Sequence, residues 1–228
     1  MLAERLIAQE RMDDPSLPPE DYASVLHDLA QVNALTLAYR PTLAFLARLT
    51  CGQRHLRLLD VGFGDGDMLR RIARWAERRG IAAELVGIDL NPNSIAAATE
   101  RTDPGAPIRY LAGDYTDLVG SHFDAVISSL VAHHMTREEL VRFLAFMEAE
   151  GRRGWFVNDL HRHGFAWLGF PLLARLMRWH PIVRADGQTS IARSYRPAEW
   201  TPLLAEAGVS GALVQRIFPF RLCVERLR

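Results

Sequence analysis

Lysine is absent from this chain of 228 residues, so every fixed positive charge is an arginine. That removes chemistry needing a primary amine: Schiff-base catalysis, a pyridoxal phosphate anchor, the lysine of a phosphate-binding P-loop. Cysteine is almost absent too. Cys51 and Cys223 stand alone, too few for a zinc cluster or a CxxC pair, and they read as reduced packing residues. No metal site is expected. Neither sign of charge dominates, with 27 basic against 27 acidic side chains, so the footprint of a nucleic-acid or acidic-membrane partner is missing. No apolar run reaches spanning length and the N-terminal stretch to Asp14 is charged throughout. No signal peptide or stable membrane insertion is therefore expected, and the localisation is read as cytoplasmic. What remains, 49% hydrophobic and 24% charged residues, is the composition of one sizeable soluble domain with appendages.

The most informative stretch is Leu58-Leu59-Asp60-Val61-Gly62-Phe63-Gly64-Asp65-Gly66-Asp67. Its apolar start reads as a buried parallel strand, and its alternate glycines let backbone pass close to a ligand. Met68, Leu69, Ile72 and Ala76 then mark one face of a helix. Strand, glycine turn and helix open a nucleotide-binding βαβ unit. A dinucleotide fingerprint needs glycine at its sixth position, which here is Asp67. Asp60, Asp65 and Asp67 crowd the bend and would repel a pyrophosphate. A cationic ligand without phosphate, carrying an ammonium and a sulfonium, suits it better. A nicotinamide oxidoreductase is thereby disfavoured.

Further strands follow at βαβ spacing. Glu84 to Asp89 reads as the second, with Asp89 at its C-terminal end, about twenty residues past the turn, where nucleotide folds place an acid on ribose. Leu90 follows, and Asn91-Pro92 is a helix start. The third is Ile108 to Ala112, before Gly113-Asp114-Tyr115; the fourth is Phe123 to Ser129, leading to His133 and His134. Thr136 and Glu139 form a capping box for a helix through Leu140, Phe143, Leu144 and Met147. A fifth runs from Trp155 to Asn158, ending at Asp159, and two alternating strands, at about 212–218 and 220–226, close the chain around Pro219.

These motifs resemble the class I S-adenosylmethionine-dependent methyltransferases. The resemblance implies an α/β, Rossmann-like sheet of seven strands, mostly parallel with one antiparallel strand and helices on both faces. It implies S-adenosyl-L-methionine as cofactor, with Asp60, Gly62, Gly64 and Asp67 around its methionine side, Asp89 and Leu90 at the ribose, and Asp114, Tyr115 and Ser129 at the adenine end and strand mouth. The fuller pattern includes Asp13-Asp14-Pro15, Asn33, Arg40, the paired histidines, Asn158 to Arg162, and Arg184-x-Asp186-Gly187-x-x-Ser190. It resembles bacterial methyltransferases associated with type III polyketide synthases, which implies a small lipophilic aromatic or polyketide-like acceptor and a role in secondary metabolism. The Asn/Asp-Pro-Pro-aromatic motif of amino methyltransferases is missing after the fourth strand, where Ser128-Ser129-Leu130-Val131 stands.

Two regions lie outside the core. Residues 1–50 read as an N-terminal helical cap: a turn-rich linker at 13–19, a helix carrying Val25, Leu29, Val32 and Leu35, a break at Pro41, then a helix through Leu49. Residues 161–193, within the core 51–228, read as an inserted aromatic lid with a polar turn at 184–190. Arg40, His161, His163, Phe165 and Trp167 are expected at the substrate pocket. The expected reaction is O-methylation, with His134 or His133 as base, since imidazole titrates near neutral pH. One of the pair serving only the loop backbone, C-methylation of a quinone or polyketide precursor, and a non-catalytic cofactor-binding module remain open, as does monomer or homodimer.

Overall fold

The apolar run before the glycines becomes β1 (His55–Val61), and the amphipathic stretch after them becomes α3 (Asp67–Glu77). The computed structural model describes residues 2–14 and 16–228; Met1 and Pro15, the latter part of the expected linker, lie outside the described residues. Two helices precede β1: α1 (Pro19–Leu35) and α2 (Tyr39–Leu49). Pro41 does not end a helix, as expected from sequence, but sits in the first turn of α2, where a missing N–H costs nothing.

The chain then alternates through β2 (Ala82–Asp89), α4 (Asn93–Glu100), β3 (Ile108–Ala112), β4 (Phe123–Ser129), α5 (Arg137–Glu150) and β5 (Gly151–Leu160). It continues with α6 (Gly164–Leu176), α7 (Pro181–Arg193), α8 (Pro197–Glu206), β6 (Leu213–Ile217) and β7 (Arg221–Leu227). The sheet order is β3-β2-β1-β4-β5-β7-β6, with β7 alone antiparallel to its neighbours. Order reverses between β1 and β4, which pair in parallel with Leu58 opposite Ala125. In open α/β sheets that reversal opens a crevice at the carboxyl ends of the strands.

Period-two alternation sends successive residues of β1 into two cores. Leu59 and Val61 pack with Leu140, Phe143 and Leu144 of α5 and with Trp200 of α8; Leu56 and Leu58 pack with Phe45 of α2 and Leu69 and Ile72 of α3. The capping box of α5 is present as read: Thr136 accepts the Glu139 N–H, and Glu139 accepts the Thr136 N–H, an arrangement worth about 1 kcal/mol.

The insertion after β5 is a helical hairpin, α6 against α7, packed on α1 through Val25, Ala174, Trp179 and Val183. The stretch expected as a polar turn, 184–190, lies inside α7. Gly187 is not there to bend the chain: a Cβ on it would lie 1.9 Å from a ring carbon of Phe170, so glycine lets α6 approach. Asp186 is buried and accepts the backbone N–H of Met12. Among the described residues, no helix is long and apolar enough to cross a membrane.

Candidate active site

Two adjoining cavities lie beyond the carboxyl ends of β1, β2 and β4. The first, about 780 Å³, is lined by Asp60, Gly62, Gly64, Asp67, Asp89, Leu90, Tyr115 and Ser129. One face of α1 roofs it with Tyr22 and Leu26. Of the residues expected around the cofactor, only Asp114 is missing from this wall. Its carboxylate instead accepts the Thr116 N–H and hydroxyl, capping the short turn Tyr115–Leu118. The neighbouring Tyr115 ring packs on Phe143 and Phe146.

The three acids of the glycine bend and Asp89 at the end of β2 divide into two pairs. Asp65 is held by Arg70 and Arg101, and Asp67 by the Tyr39 hydroxyl and Arg71. Their charges are spent within the protein, which corrects the reading of three free acids at the bend. Asp60 and Asp89 have no cationic partner. Asp60 is buried at the end of β1 with Oδ1 unbonded; burial, then the charge of Asp89, pushes its carboxyl well above the usual range. Asp89 accepts the N–H groups of Gly64 and Asn91, both at 2.9 Å, yet burial still raises it. The Ser129 hydroxyl is a further buried polar atom without a partner. Buried acids and an orphaned hydroxyl around an open cavity call for a polar, cationic ligand.

The glycines serve protein neighbours as much as a ligand. Gly62 and Gly66 hold φ of 77° and 75°, and a Cβ on either would come within 2.3 Å of Val131 and of the Tyr110 hydroxyl, respectively.

The second cavity, about 480 Å³, opens between α1, the α6–α7 hairpin and the end of β5, with largely apolar walls that include Val25, Phe170 and Leu173. His134 and Leu130 line both cavities. The two histidines lie in the short turn Ala132–His134 after β4. His133 is buried; its Nδ1 lies 2.7 Å from Asp159 Oδ1, and its N–H donates to Asp159 Oδ2. A carboxylate only accepts, so each such contact places a proton on Nδ1, and in the neutral ring the lone pair then falls on Nε2. His134 repeats the arrangement with Asp13, at 2.9 Å. Burial alone would raise the Asp159 carboxyl, but His133 and two backbone N–H groups hold it below its usual value.

His161 and Phe165 line the second cavity, Phe165 at its exposed rim. Burial, then the charge of His163, lowers the pKa of His161. The remaining expected pocket residues lie elsewhere. Arg40 is exposed on α2 and reaches neither cavity, because its helix turns it outward. His163 accepts the Phe165 N–H as the cap of α6, and Trp167 is outside both walls, its carbonyl accepting from Gln188.

Sequence reasoning missed Glu10, Arg193, Arg221 and Arg5. Glu10 is buried beside both histidines, and burial pushes its carboxyl up to about 7. Arg193 Nη1 lies 3.3 Å from Glu10 and 3.6 Å from Asp13. Arg221 lines both cavities; Nη2 donates to Asn33 and Thr36 while Nη1 has no partner. Arg5 donates to the carbonyls of His133 and Met135, tying the N-terminal segment to the histidine turn. No local spacing signals these contacts, which bridge distant parts of the chain.

Residues 58–149 match a family model described as a methyltransferase domain. Among solved structures, human N-acetylserotonin methyltransferase in complex with SAM is 14% identical at a TM-score of 0.65, over 92% of this chain. The chain spans only 56% of that protein's length. The plantazolicin methyltransferase BpumL, in complex with a monoazolic desmethylPZN analog and SAH, is 12% identical at a TM-score of 0.62, covering 92% of this chain and 96% of that one. The magnesium protoporphyrin IX methyltransferase of Synechocystis PCC 6803, with bound SAH, is 18% identical at a TM-score of 0.58, covering 85% and 82%. No curated protein matches the chain by sequence. The chain thus carries the α/β, Rossmann-like methyltransferase fold, with a methyltransferase-domain match across the strands that build its first cavity.

Proposed function

We propose that this protein is an S-adenosylmethionine-dependent methyltransferase that methylates an oxygen of a small, largely apolar aromatic or polyketide-like acceptor. The observation that carries this reading is the unpaired acid pair, Asp60 and Asp89, at the edge of an open cavity where the strand order reverses. The residues fit the cofactor. Asp60 Oδ1 is free to accept from its ammonium, Asp89 keeps lone pairs for ribose hydroxyls, and Tyr115 offers an aromatic face near the adenine end. When bound, the cofactor supplies an electrophilic methyl group on a sulfonium.

The chain's own contribution is positioning and proton handling. The apolar second cavity holds the acceptor and keeps water from it. His134, on the wall shared by both cavities, accepts the acceptor's hydroxyl proton at Nε2 while Asp13 keeps its other nitrogen protonated. His133, oriented by Asp159, backs the same surface. Incubation with methyl-labelled S-adenosylmethionine and a panel of phenols, pyrones and quinols tests the reading, with product spectra distinguishing O- from C-methylation. Saturable S-adenosylhomocysteine binding without NAD(H) binding is expected; the reverse would end the assignment. Cofactor binding with no turnover on any acceptor would favour a non-catalytic module.

A further inference from the structure

The fold brings Glu10 against His133 and His134, residues that no sequence spacing connects. His133 Nε2 lies 3.6 Å from Glu10 Oε1, and His134 Nε2 lies 3.8 Å from Glu10 Oε2. Both gaps are too long for hydrogen bonds. Each ring donates its Nδ1 proton to a carboxylate, Asp159 or Asp13, so in the neutral rings both Nε2 lone pairs lie near the one buried carboxyl group of Glu10. One ligand atom from each residue lies within 4.8 Å of the others.

We propose that Glu10, His133 and His134 form a binding site for a divalent transition metal of the zinc or ferrous class. Two imidazoles and a carboxylate are a ligand set of catalytic zinc and of non-haem iron, with coordination positions left open. Asp159 and Asp13 supply the outer carboxylates that commonly orient metal-ligating histidines. Ligands at a tetrahedral metal stand about 3.3 Å apart when bonds are about 2.0–2.1 Å, so a set lying within 4.8 Å closes on an ion by side-chain movements of about 1 Å. Glu10, Asp13 and Asp159 bring three carboxyl groups to the two rings, and the neighbouring guanidiniums are Arg193, on Glu10, and Arg5, on the carbonyl of His133. Arg193 approaches Glu10 Oε1 at 3.3 Å and donates to the carbonyl of His134, bracing the carboxylate. Magnesium is excluded by its preference for oxygen ligands.

The open positions face the cavities, since Glu10 and both histidines line the second and His134 the first as well. A metal there uses the Nε2 lone pairs that a free base needs, and an acceptor oxygen would complete its shell. Only the acceptor's location rests on the proposed function; the ligand set does not.

The test is calorimetric titration of chelator-stripped, full-length protein with Zn²⁺ and with Mg²⁺. S-adenosylhomocysteine affinity is measured in parallel, so that a failed metal site and a failed cofactor site are told apart. One Zn²⁺ per chain, no saturable Mg²⁺ binding, and at least 10-fold weaker Zn²⁺ binding in both Glu10→Gln and His134→Gln are expected. Asp13→Asn should weaken it by about 10–100-fold through the outer shell. Absence of stoichiometric Zn²⁺ binding to the unaltered protein overturns the proposal, and so does Zn²⁺ affinity unchanged in variants that keep S-adenosylhomocysteine binding.

Discussion

The two cavities share a wall yet are built by different logic. The floor of the first is built from strand ends and their following turns, largely within the match at 58–149, and its chemistry is charged: Asp60 and Asp89 face it without cationic partners among the described residues. The second is assembled from α1, α6, α7 and β7, far apart in the chain, and its wall is largely apolar, with the histidines, Glu10, Asp186 and Arg221 among its polar members. One has its acids fixed on strand ends; the other is a space enclosed chiefly by helices, of which α6 and α7 contribute only Arg193 to the first cavity. In the proposed function, strand ends therefore specify the cofactor side, and appended helices the acceptor side.

That contrast is broken most severely at the shared wall. His134→Ala and His133→Ala should each be made; loss of whichever ring takes the proton is expected to lower turnover by about 10²- to 10⁴-fold. S-adenosylhomocysteine affinity should stay close to that of the unaltered protein. Full turnover in both variants would remove the base from the mechanism. Next in size is Asp60→Asn, where loss of a charge-assisted contact of about 1.5–3 kcal/mol should weaken S-adenosylhomocysteine binding by about 10- to 100-fold. Calorimetry on that variant would contradict the role of the acid pair if affinity held.

A third test uses pH. Glu10 is held near 7 by burial, with the negative charge of Asp13 adding to the rise, against His134, a hydrogen bond from Ser190 and the charge of Arg193. A carboxyl raised in the folded state stabilises the fold below its ordinary value near 4.5, and that contribution is lost as pH rises through about 7. Glu10→Gln should flatten the stability curve in metal-free protein across that window, by at most about 3 kcal/mol. Denaturant melts at pH 5 and pH 8 read the difference, and equal slopes in the two proteins would contradict it. Gly187→Ala is expected to be mildest. Its methyl meets Phe170, so overpacking of about 1–3 kcal/mol should loosen α6 against α7. Thermal melting should register that loss while S-adenosylhomocysteine affinity is preserved.

Legibility in the sequence follows the same divide. Strand, glycine bend, helix periodicity and the Thr136–Glu139 cap are local patterns, and the observed β3 and β4 share the bounds read from sequence. The resemblance points Asp114 at a ligand, whereas Thr116 two residues on offers both an N–H and a hydroxyl to that carboxylate. The polar stretch in α7 misleads because aspartate and glycine usually mark turns, whereas Gly187 answers a contact with another helix. Glu10 and Arg221 reach the histidine region only through tertiary packing, which no pattern of nearby residues announces.

The first long helix contributes to both chambers: Tyr22 and Leu26 border one, Val25 the other, and Leu29 both. A rod that forms the ceiling of adjoining rooms cannot be lifted over one of them alone. Passage of either guest by displacement of this helix would disturb the enclosure of the other, so exchange at the two places is mechanically linked even though their walls are chemically unlike.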